Sequence, residues 1–101
     1  MQRPPEAGIE PARVRLYVAG DGPNSVAAVA NLTAALALHV DHGIELEIID
    51  VVAEPERALR DGILITPMLV RVAPLPQRRI LGTLRDRALL LGVLGLPIGV
   101  A

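Results

Sequence analysis

Ser25 follows the turn Gly20-Asp21-Gly22-Pro23-Asn24, where a strand would give way to a helix, and its hydroxyl is the first candidate nucleophile of the chain. Such a hydroxyl needs a base within reach to take its proton. No base pattern accompanies Ser25, and capping of the helix accounts for it. The same turn has neither the lysine of a phosphate-binding loop nor the glycine spacing of a dinucleotide fingerprint. Cysteine is absent, which excludes disulfides, thiolate metal sites and thiol redox chemistry. His39, Asp41 and His42 are the nearest approach to a metal-ligand cluster. Two histidines at the negative pole of a helix dipole are explained by dipole compensation, without a metal or other cofactor.

The remaining candidates are charged. Arg71, Arg78 and Arg79, followed by Arg85 and Arg87, form the densest basic stretch, and in a hairpin Arg71 would share a side with one of the Arg78-Arg79 pair. Guanidinium groups suit bidentate pairing with carboxylates and the anchoring of protein interfaces. The competing reading is an edge strand kept from aggregating by its charge.

All ten basic residues are arginine and the formal net charge is -1, so no broad attraction to nucleic acid or to an anionic membrane is expected. Apolar residues make up 51% of the 101 residues, and Tyr17 is the only aromatic, so the core must be aliphatic. A chain of this length supports one core. The start, Met1 to Gly8, lacks the apolar stretch of a secretory signal, which leaves the cytoplasm as the default location. The apolar segment from Ala88 to Ala101 is interrupted by Gly92, Gly95, Pro97 and Gly99 and falls short of the roughly 20 residues that span a bilayer.

These side chains must be positioned by a small α/β framework. Arg13 to Ala19 alternates and then turns apolar, as a strand near the centre of a sheet does. From Asn24 to Asp41, Val29, Leu32, Leu36 and Val40 fall at helical spacing, with Pro23 in the first turn or Asn24 and Ser25 as caps, and with Gly43 as the left-handed stop. Ile44 to Val52 reads as a second strand, parallel to the first across the helical crossover. Glu54 to Asp61, acidic early and basic late, predicts a short helix closed by Gly62. Met68 to Val72 and Arg78 to Gly82 predict an antiparallel pair around Pro74 and Pro76, and Leu84 to Leu94 a last helix burying Leu84, Ala88, Leu91 and Leu94. The order βαββ-type units take here, βαβαββα with a mixed four-stranded sheet, is the thioredoxin-like arrangement. Residues 1–12 and 96–101 are expected to be tails around a domain at 13–95.

Several of these residues occur together in a known order. Leu16-Tyr17-Val18-Ala19-Gly20, Pro23-Asn24-Ser25 and Ile49-Asp50-Val51 resemble the KaiB family. So do Pro55, Ala58, Asp61, Ile63, Thr66-Pro67, Leu69, Pro74, Pro76, Arg78-Arg79-Ile80, Gly82, Leu84 and Asp86. Each match is weak alone; the ordered set, from about Arg13 to Leu94, is specific. The resemblance implies a non-catalytic regulatory protein of circadian-clock or stress signalling that binds a KaiC-type hexameric ATPase. Further partners it implies are a KaiB-binding histidine kinase or clock output protein and other copies of the chain. It also implies two folds: a thioredoxin-like form that binds the ATPase, and a rearranged KaiB tetramer fold differing after about Val51. On this basis Arg71, Arg78 and Arg79 join Asp61, Ile63, Leu64 and Ile65 as the partner-binding set. Pro67 is the candidate cis proline, in the place that thioredoxin-like folds reserve for one.

The chain also departs from the family at Ala12, Gly22, Ile65, Thr83, Arg85, Val93 and Gly95. Val93 stands where a glycine is common and favours a continuous final helix, which makes the thioredoxin-like form the expected resting state. Two other readings remain open. One is a KaiB-like sensory or adaptor module that does not switch fold. The other is a small thioredoxin-like glutathione-binding protein, which would have to work without a thiol.

Overall fold

A computed structural model describes residues 11–39 and 41–97. The elements run β1 (Arg13–Val18), α1 (Pro23–Ala37), β2 (Glu45–Asp50), α2 (Pro55–Arg60), β3 (Met68–Ala73), β4 (Arg78–Leu81) and α3 (Arg87–Leu94). They form one mixed sheet in the order β2-β1-β3-β4, so β2 and β4 are its edges. β1 and β2 are parallel, whereas β3 is antiparallel to both β1 and β4. This is the expected βαβαββα thioredoxin-like architecture.

Alternation along the strands divides the aliphatic residues between two faces. Val14, Leu16, Val18 and Leu69 point to one face, where they pack with Ala28, Leu32 and Ala35 of α1 and Leu90, Leu91 and Leu94 of α3. Tyr17, Ile49 and Val70 point to the other, where Ala58 of α2 and Ile63 cover them. The first face therefore has two helices and the second has one short helix and a loop.

Three local expectations are corrected. First, α1 ends at Ala37 and not at Asp41, with Leu38 as its C-cap. The amides of Leu38, His39 and His42 bond back three residues to Ala35, Leu36 and His39, which tightens the chain into turns. His39 and His42 thus lie beyond the helix, and no basic residue occupies its last turn. His42 Nδ1 instead accepts the Ile44 amide at 2.7 Å. Gly43 does take the left-handed conformation, φ +66°, but in this turn and not as the helix stop. Val40, expected on the buried face, lies outside the described residues.

Second, Ser25 does not cap α1. Gly22 is the N-cap and Pro23 opens the helix, while the buried Ser25 hydroxyl accepts the Ala19 amide at 3.0 Å and ties the end of β1 to the helix. Third, the last helix begins at Arg87 and not at Leu84, because Asp86 caps it by accepting the Leu89 amide at 3.1 Å. The shift changes its buried face: Leu90, Leu91, Val93 and Leu94 are inside and Ala88 is exposed. Leu84 is buried ahead of the helix with φ +64°. Ala12, assigned to the N-terminal tail, is buried, and Leu96 packs partly on the core.

Candidate partner-binding surface

The face covered by α2 and the loop after it carries the densest polar network among the described residues, and its strand residues are set there by register. Arg15 and Tyr17 of β1 lie beside Glu47 and Ile49 of β2, so one parallel pairing puts a base, an acid, a phenol and an aliphatic on the same side. α2 runs over them, and Asp61 at its C-cap turns inward. The Tyr17 hydroxyl donates to Asp61 Oδ2 at 2.6 Å. Arg15, Arg57 and Arg60 all bring a nitrogen within 4.0 Å of the same carboxylate. Arg57 also makes a bidentate pair with Glu47, at 2.6 and 2.7 Å. Burial, reinforced by the bond to Asp61, raises the Tyr17 pKa above its ordinary value. The Arg57 fork holds the Glu47 carboxyl below the ordinary range. An open cleft of about 750 Å³ lies over this network, lined by Arg15, Glu54, Arg57, Arg60 and Asp61 among others.

Asp50, at the end of β2, fixes the neighbouring turn. Its Oδ1 accepts the Gly20 amide at 3.0 Å and the Val52 amide at 2.9 Å. Those backbone donors stabilise the carboxylate and lower its pKa.

The expected site residues fall into separate groups. Asp61 is the centre of the network. Leu64 and Ile65 are exposed, 86% and 56%, and Leu59 of α2 is exposed at 72%, so three aliphatic side chains stand in solvent beside the charged frame. Ile63 is buried in the core under α2, where it holds the loop that presents them. Pro67 is also buried, and the Thr66–Pro67 bond is cis, as are Ala73–Pro74 and Leu75–Pro76. Arg79, opposite Val70, lies on this same face and donates to the carbonyls of Gly62 at 3.2 Å and Asp61 at 3.0 Å. Arg71 and Arg78 form a cross-strand pair on the opposite face. There Arg71 donates to Val93 O at 3.1 Å and Pro76 O at 2.8 Å, pinning the end of α3 and the β3–β4 turn.

Sequence reasoning missed Arg15, Tyr17, Glu47 and Arg57 as the frame around Asp61. The alternation of β1 and β2 placed the strand residues on a common face, but only the pairing register shows that they meet α2. The arrangement sets three exposed aliphatic side chains beside a fixed frame of charge. Among the described residues no three His, Asp or Glu side chains gather as metal ligands, and no helix is long and apolar enough to cross a membrane.

Comparison with known proteins agrees with this architecture. The KaiB domain family model matches residues 15–96. The circadian clock oscillator protein KaiB of Synechococcus elongatus is 47% identical over 74 residues, covering 73% of this chain and 72% of that protein. The KaiB protein of Acaryochloris marina is 45% identical over 74 residues, 73% and 71% of the two chains. Among solved structures, the N-terminal domain of Synechococcus elongatus SasA superposes with a TM-score of 0.67 at 24% identity, covering 100% of this chain and 99% of that one. A chain from a structural study of the thiol-resolving mechanism of yeast mitochondrial 1-Cys peroxiredoxin via glutathione/thioredoxin systems gives 0.65 at 16% identity, covering 85% of this chain and 78% of that one. Both structural likenesses are of fold alone. With the family match running from within β1 to beyond α3, and 45–47% of 74 aligned residues identical to these two cyanobacterial proteins, the chain belongs to the KaiB family.

Proposed function

We propose that this chain is a non-catalytic regulator in circadian-clock or stress signalling, located in the cytoplasm, that binds a KaiC-type hexameric ATPase through the α2 surface. The observation that carries the reading is the exposure of Leu59, Leu64 and Ile65 beside the ordered Asp61 network. Exposed ion pairs add little affinity by themselves. Aliphatic side chains lose water on docking and contribute about 25 cal/mol per Å² buried, while the fixed charges set register and reject wrong partners.

The thioredoxin-like arrangement is proposed as the resting state. Val93 is 6% exposed within a continuous α3, where a glycine would lose both helix propensity and packing. A KaiB-like sensory or adaptor module is the second reading, favoured by the fold shared with the SasA N-terminal domain. The two differ in whether the second half rearranges.

Size-exclusion chromatography with light scattering, on the protein alone and mixed with a KaiC-type ATPase from the same genome, tests both. A monomer or dimer that co-elutes at once is the expected outcome. A tetramer that binds slowly would replace the proposed resting state by a rearranged one, and no complex would overturn the ATPase reading. In the same assay Leu64→Asp is expected to weaken the complex about tenfold or more, the cost of a lost interface anchor. Its unfolding midpoint should stay unchanged, since nothing buried is altered.

A further inference from the structure

We propose that the β4 edge is a second docking site, for an acidic peptide in extended conformation that presents carboxylates and apolar side chains together on one face. β4 closes the sheet on the side away from β2, and among the described residues no further strand pairs with Arg78–Leu81. Its outward amides and carbonyls are therefore open to an added strand. Between β4 and α3 runs a groove of about 250 Å³ whose apolar walls are Ile80, Leu81, Leu84 and Leu89. Leu81 is 54% exposed and Leu89 50%.

The charge around this groove selects the occupant. Residues 78–87 hold four arginines and one carboxylate in a chain whose formal net charge is -1. That carboxylate, Asp86, is engaged in capping α3. Arg13, Arg15, Arg57 and Arg60 each lie within 4.0 Å of a carboxylate. Arg78, Arg85 and Arg87 have no such partner among the described residues, and all three are exposed. A second copy docked on this edge would add its own Arg78, Arg85 and Arg87 to a patch whose positive charge is already without a partner, and so would be repelled. Single-stranded nucleic acid would need exposed aromatic side chains for base stacking. Tyr17, the only aromatic, is 1% exposed. An acidic strand answers both features: its main chain pairs with the edge, and on its α3-facing side a carboxylate meets Arg78 while the apolar side chain two residues on enters the groove beside Ile80.

The test is fluorescence anisotropy with a fluorescein-labelled peptide that carries Asp and Val in turn on one face of the extended chain, with Thr between them, against the full chain. Saturable binding is expected, weakening as NaCl is raised from about 50 to 300 mM because the rim pairs are screened. Arg78→Glu with Arg85→Glu should weaken it about tenfold or more. Circular dichroism of that double variant should be unchanged, since neither side chain is buried. Amide exchange along β4 should slow in the complex. Equal binding of a Lys-Val peptide, tighter binding of a single-stranded oligonucleotide, absence of saturation, or indifference to the double substitution would each overturn the proposal. So would a concentration-dependent dimer, seen by light scattering, that the double variant abolishes.

Discussion

Leu84 combines two demands that ordinarily exclude each other, since it is 4% exposed and has φ +64°. A left-handed residue with a Cβ costs about 1–2 kcal/mol, and the packing of its side chain must offset that. Replacement by alanine forfeits the packing and keeps the strain, whereas glycine forfeits the packing and relieves it. Leu84→Gly is therefore expected to destabilise less than Leu84→Ala, by about 1 kcal/mol in urea unfolding. The usual order, alanine above glycine, would show that the backbone relaxes there. Asp50 makes a different prediction. Its native pKa is lowered by the Gly20 and Val52 amides, so it stabilises the fold above the unfolded value and ceases to do so as pH falls through the native one. Asp50→Asn should lower Tm at pH 7, and the gap to wild type should close as pH drops below the ordinary aspartate range near about 3.9. A gap that persists in acid would assign the loss to geometry and not to charge.

At the scale of elements, the strands were legible because period-two alternation and the glycine and proline boundaries agreed; Arg13-Val14-Arg15-Leu16 and Glu45-Leu46-Glu47-Ile48 each announce a two-faced strand. Helix ends were less so. Asn24 to Asp41 remains apolar at helical spacing, yet α1 stops at Ala37, and the bonds of His42 to His39 and Ile44 that hold the chain out of the helix are not encoded in hydropathy. The start of α3 was misplaced because Leu84 looks like a helical core residue, while Asp86 is the cap that decides the boundary. Asp86→Ala should cost about 0.5–2 kcal/mol, read as a lower urea midpoint. An unchanged midpoint would mean that water replaces the carboxylate at no loss. The Asp61 site was only half legible for a related reason. Asp61 and the Leu64-Ile65 pair are local, but the Arg15, Tyr17 and Glu47 side chains that frame them arrive through pairing of strands distant in sequence.

The whole molecule is secured unevenly. α1 and α3 each bury four residues against one face, whereas α2 buries only Ala58 on the other. What holds α2 and its loop down is Ile63 together with polar ties: the Tyr17–Asp61 bond, the Arg57–Glu47 fork and Arg79 on the carbonyls of Asp61 and Gly62. Elements secured by few buried apolar groups open locally before the core does. Amide exchange is therefore expected to be faster across α2 and the Asp61–Ile65 loop than in β1, β3 or α1. Tyr17→Phe removes one hydrogen bond, about 0.5–1.5 kcal/mol, with the ring and its packing left in place. If opening of α2 is local, that loss should speed exchange in α2 by about threefold to tenfold and leave α1 and α3 as they were. Equal acceleration everywhere would show that α2 leaves the sheet only when the whole domain unfolds. The distinction bears on function, because the exposed Leu59, Leu64 and Ile65 sit on the side that opens first, and a partner that docks there would stabilise the least secured part of the fold.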